Sequence, residues 1–189
     1  MIEIPPDQAA LIEIAAAEIT ERRRGIANPA RDWTPRKEQE GLAGECVFAW
    51  ENGCGQEWRP RVYEDGRGDG GIDFVAETEG GHRITIDTKR SSPFYHEFWV
   101  LKSAQLADLV VFVDVDTHAW RGESFRWVMR HDVLRQPLRE VWGVTSWIVP
   151  PVCTWPMFTL RISNVRQHII PGRRLVDLNA IIARRRAAE

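Results

Sequence analysis

The chain of 189 residues holds only three cysteines, Cys46, Cys54 and Cys153. Their number is odd and no two stand at a Cys-x-x-Cys spacing, so neither a disulfide framework nor a structural zinc site is expected. Three free thiols are. Lysine is equally scarce, appearing only at Lys37, Lys89 and Lys102 among 25 basic residues. No uninterrupted apolar run approaches the roughly 20 residues that span a bilayer, which argues against a membrane protein. The start, Met1-Ile2-Glu3-Ile4-Pro5, lacks the basic-then-apolar order of a signal peptide, so the expected location is the cytoplasm. A formal charge of −2 gives no global attraction to a polyanion. Any nucleic-acid binding must come from local arginine clusters or from metal ions bridging to phosphate.

What is present is ordinary globular material, 43% hydrophobic and 28% charged, without repeats or low-complexity segments. The length suits one domain over residues 1–189. Residues 6–24 carry apolar positions at Ala10, Leu11, Ile14, Ala15 and Ile19 and end in three arginines and a glycine, which predicts an amphipathic helix. Arg22 to Arg24 suit a helix carboxyl end as well as a phosphate, and the helix end is the simpler expectation. A second helix is expected from Thr34-Pro35 to about Trp50, with Leu42, Cys46 and Ala49 as its buried stripe and Glu45 beside it.

The most informative stretch is Gly70-Gly71-Ile72-Asp73-Phe74-Val75, followed after a turn at Glu79-Gly80-Gly81-His82 by Ile84-Thr85-Ile86-Asp87-Thr88-Lys89. It predicts an antiparallel hairpin of residues 72–78 with 84–89. Strand alternation puts Asp87 and Lys89 on one face, and the hairpin lets Asp73 approach them. Carboxylate oxygens are hard ligands of the kind Mg2+ and Mn2+ prefer, and a lysine beside such a cation can help to activate water. Arginine cannot give up its proton in this way, so the rarer residue matters. Asp65 and Asp69 compete for the metal role, but their glycine-rich loop is better explained by turn chemistry.

Downstream, Arg90-Ser91-Ser92-Pro93-Phe94-Tyr95 is polar and then aromatic, suited to phosphate contacts from Arg90, Ser91 and Ser92 and to stacking by Tyr95. A short helix is expected over 100–108 and a strand buried on both faces over Leu109 to Val113. Further strands are expected over 125–130 and 157–162, with a candidate edge strand over 58–63, a short helix from His131 and a last helix over 175–186. Trp99 and Trp127 sit in apolar surroundings and are expected in the core.

Asp73, then Asp87-Thr88-Lys89, with Gly44-Glu45 upstream, resemble the motif of the PD-(D/E)xK nuclease superfamily. Ile72 stands where the motif name has proline. The resemblance covers about residues 36–135. It implies an α/β restriction-endonuclease-like fold, a mixed β-sheet flanked by helices, here with an added N-terminal helix and C-terminal strand and helix elements. It implies a Mg2+-dependent deoxyribonuclease, with Mn2+ able to substitute, in which Glu45, Asp73, Asp87 and Lys89 are catalytic. Asp73, Asp87 and the Thr88 carbonyl would hold metal, and Glu45 would complete a second ion's shell. Relatives often cut two strands with two sites, so a homodimer is expected through the aromatic-rich segment beyond Trp142. The alternative is a nuclease-fold subunit that binds DNA or a protein partner without cutting. A glutamine at Gln105 has counterparts in some relatives.

Overall fold

The computed structural model describes residues 1–24, 34–68, 71–101, 106–141 and 144–186. In chain order the elements are β1 (Ile2–Glu3), α1 (Pro6–Arg23), α2 (Pro35–Glu51), β2 (Phe74–Thr78), β3 (Arg83–Arg90), β4 (Phe98–Leu101), β5 (Leu109–Asp116) and β6 (Arg121–Met129). Then follow α3 (Arg130–Leu134), β7 (Leu138–Val141), β8 (Val144–Val149), β9 (Trp155–Pro156), β10 (Ile162–Gln167) and α4 (Leu178–Arg186). The main sheet runs β1-β6-β5-β3-β2-β10, with β9 paired to β6. Within it β3 and β5 are parallel, and the other described pairs are antiparallel. A second, three-stranded sheet runs β4-β8-β7.

The valines of β5 explain the layering. Leu109, Val111, Val113 and Val115 point into a core shared with α1 and α2, through Ile12, Ala15, Ala16, Val47 and Phe48. Val110 and Phe112, on the alternate positions, join Phe98, Val100, Trp147 and Val149 of the second sheet. The chain is therefore a mixed α/β structure in which a mixed sheet is covered by helices on one face and by a small sheet on the other. An unbroken apolar run is what a strand covered on both faces requires.

Helix α2 begins as its sequence suggests, with Thr34 extended and its hydroxyl accepting the Lys37 N–H at 3.3 Å. It is tied to α1 by buried Gln8, whose Oε1 accepts from Cys46 Sγ and Trp50 Nε1 and whose Nε2 donates to the Gly55 carbonyl. These bonds hold α2, the helix that carries Glu45, against α1.

Several expectations are corrected. The helix expected over 100–108 is replaced at its start by β4, and residues 102–105, Gln105 included, lie outside the described set. Residues 58–63 form no ladder strand; they run irregularly, with Trp58, Val62 and Tyr63 buried and an isolated bridge from Tyr63 to Leu175. The strand expected over 157–162 is a 3-10 turn at Met157–Thr159, and the strand begins at Ile162. The core also outgrows residues 36–135, because α1 and Leu178 of α4 contribute to it. No described helix is long and apolar enough to cross a membrane.

Candidate active site

The hairpin pairs regularly from Phe74↔Ile86 to Glu77↔Arg83, and Gly81 supplies the positive φ of its turn. At the open end the regular ladder stops and Asp73 takes over. Its backbone N–H donates to the Ile86 carbonyl at 2.8 Å, while its Oδ2 accepts both the backbone N–H and the hydroxyl of Thr88, each at 2.7 Å. Asp73 is thus bonded to the residues on either side of Asp87 and lies across from it. A third bond, from the His168 N–H just beyond β10 to the Asp73 carbonyl, holds it from the other side.

On β3, Asp87 and Lys89 share a face and form an ion pair, Lys89 Nζ standing 2.5 Å from Asp87 Oδ1. Their register partners on β5 are Val110 and Phe112, which belong to the core of the small sheet. Alternation therefore directs Asp87 and Lys89 to that side and Thr88 to the helix side. Glu45, on α2, approaches from the helix side.

The link between Glu45 and Asp73 is Arg61. Its Nη2 lies 3.2 Å from Glu45 Oε2 and 3.4 Å from Asp73 Oδ1, and its Nη1 donates to the His168 carbonyl. Asp73 thus belongs with Glu45 and Arg61 on the helix side, bonded there to Thr88, while the Asp87–Lys89 pair lies on the neighbouring positions of β3 and faces the small sheet. Arg61 escaped the sequence reading because it sits in an irregular segment where an arginine carries no periodic signal. Only the burial of Trp58, Val62 and Tyr63 around it forces the guanidinium inward.

The residues after β3 divide. Ser91 is buried, and its N–H prolongs the pairing by donating to the Val113 carbonyl. Ser92 turns the chain, its hydroxyl accepting the Phe94 N–H and its carbonyl the Tyr95 N–H. Arg90 stands 3.6 Å from Glu40. Tyr95 is exposed, and so are Phe94, at 86%, and Trp99, which corrects the expectation of a core tryptophan there. Phe94, an aromatic directly after proline in a polar loop, is more exposed than Tyr95. Of the aromatics beyond Trp142, Trp147 is buried in the second core, whereas Trp155 and Phe158 are exposed.

The competing groups have structural partners. Asp65 accepts from Arg173, which holds its carboxyl below the usual range, and Asp69 lies outside the described residues. Arg22, Arg23 and Arg24 pair with Glu18, Glu38 and Glu21.

Among the described residues no three His, Cys, Asp or Glu side chains are gathered as a metal cage. Mg2+ rarely needs one, since it is commonly held by one or two carboxylates, with water and substrate phosphate completing the shell. Asp73 and Asp87 fit that demand in donor chemistry, being buried carboxylates, one directly before β2 and the other within β3. Comparison with family models, with curated proteins and with solved structures gave no match.

Proposed function

We propose that this chain is a metal-dependent nuclease of the restriction-endonuclease-like kind, acting on phosphodiester bonds of DNA. The observation that carries the proposal is Asp73, fixed across from Asp87 at the open end of the hairpin, with Lys89 on Asp87. Asp73, Asp87 and the Thr88 carbonyl would hold Mg2+ or Mn2+, and Glu45 joins them through Arg61. Such a cation polarises the phosphate and lowers the pKa of bound water. The protein's own part is to place the groups. Lys89, half-buried beside Asp87, is positioned to orient a water or take its proton, while Thr88 keeps the Asp73 carboxylate from turning. Arg90, Ser92, Tyr95 and Phe94 leave β3 at the same end and supply the polar and stacking surface along which a DNA backbone would run.

The compensation of Glu45 and Asp73 by Arg61, and of Asp87 by Lys89, favours one rival, a nuclease-fold subunit that binds DNA without cutting. Supercoiled, linear and branched DNA incubated with the protein in Mg2+, Mn2+ or EDTA separates the two. Wild type is expected to cut only with metal, and Asp87→Ala, Lys89→Ala and Lys89→Arg to lose about a hundredfold or more. DNA binding without cleavage under any of these conditions leaves the rival standing.

A further inference from the structure

Glu45 Oε2 and Asp73 Oδ1 both lie within 3.4 Å of a single nitrogen, Nη2 of Arg61. Two carboxylates brought this close require a positive charge between them, and in a two-ion site a divalent cation would supply it. Here the chain supplies its own. A guanidinium keeps its charge at any working pH, so this compensation cannot be titrated away. Nor is it readily displaced, because Arg61 is also bonded to the His168 carbonyl and its side chain is only 4% exposed.

Lys89 differs in each of these respects. Its side chain is 26% exposed and carries its charge on a flexible four-carbon stem, and its amine can lose a proton. The site therefore has one fixed cation, on the Glu45 side, and one movable cation, on the Asp87 side.

We propose that Arg61 takes the place of a second divalent ion, so that the site holds a single ion on its Asp73–Asp87 side. This rests on the metal-dependent reading above. On this account Glu45 is a positioning residue that keeps Arg61 on Asp73, and it is not itself a ligand.

The test is the count of Mn2+ ions bound by the full chain, from calorimetric titration and from the electron paramagnetic signal of the free ion. Wild type is expected to take one ion. Asp87→Asn should lose it, and Glu45→Gln should keep it with little change in affinity. Arg61→Met, which uncovers the Glu45–Asp73 pair, should admit a second. Because Arg61→Met leaves two buried carboxylates facing each other and can fail to fold, Glu45→Gln carries the test independently. Two ions in wild type, with one lost in Glu45→Gln, would overturn the proposal and leave the nuclease reading intact. No ion in wild type at millimolar Mn2+ would remove both.

Discussion

Thr88 offers Asp73 two donors on one oxygen, and the two are separable. Thr88→Val deletes the hydroxyl and keeps the backbone N–H, so the carboxylate loses one charge-assisted bond and gains freedom to rotate. Such a bond is worth about 1.5–3 kcal/mol. For a chain this long that should lower the melting temperature by about 3–12 °C. The same variant should cut more slowly, and an unchanged melt would show that the backbone donor suffices. Cys46, one residue from Glu45, illustrates a different control. Burial, with the Glu45 charge adding to it, pushes its thiol up to about 12 from an ordinary 9.0, and the sulfur donates to Gln8 Oε1. The native state therefore favours the protonated thiol. Its contribution to stability is intact below pH 9 and is lost as pH rises toward 12. At about pH 8 iodoacetamide should leave Cys46 unmodified until denaturant is added, as peptide mass spectrometry will read, since the thiolate is the reactive form.

At the scale of elements, α2 crosses β6 at Gly122, and this crossing sets how close Glu45 can come to the sheet. A Cβ on Gly122 would lie 2.5 Å from the Asp114 carbonyl oxygen and 3.0 Å from Val47 Cγ2, and the backbone oxygen cannot move aside. Gly122→Ala should cost about 1–3 kcal/mol. Gly41 makes the contrast, being exposed on α2 where an added methyl would meet nothing within 4 Å. Gly41→Ala should stabilise by about 0.5–1 kcal/mol. Urea melts of the two variants check both signs. The elements differ in how far local sequence determines them. Helix α2 could be read from Thr34-Pro35 and its apolar stripe, and β5 from an apolar run too short for a helix. The segment containing β4 could not, because Phe98-Trp99-Val100-Leu101 suits either state over so short a span. What decides it is pairing with Trp147 to Val149, far along the chain. The site divides in the same way. The pairing of Asp87 with Lys89 follows from strand alternation alone, whereas the tie between Glu45 and Asp73 depends on Arg61, which no local pattern brings inward.

For the whole molecule the governing quantity is its charge. At −2 overall, and with Arg22, Arg23, Arg24, Arg61 and Arg90 all facing carboxylates, much of the local positive charge is already answered within the chain. DNA affinity should then depend on a divalent ion. Fluorescence anisotropy of a labelled duplex is expected to show at least about tenfold tighter binding in Ca2+ than in EDTA, an energy of about 1.4 kcal/mol. Equal affinity in the two would place recognition on arginines alone.

The bonds that frame Asp73 come from residues made far apart in the order of synthesis, Arg61, Ile86 and Thr88 on one hand and His168 on the other. Asp73 and Arg61 are both held by the backbone of His168, and β2 is completed by β10. A ribosome that has made the acids, the lysine and the hairpin has still not made His168, which holds both Asp73 and Arg61. Domains generally fold as units during synthesis, so a part of one lacks its later partners. A growing or prematurely released chain that stops short of His168 would accordingly hold Asp73 and Arg61 without that backbone tie, and full cleaving power, on the reading proposed above, would wait on β10 and the residue after it.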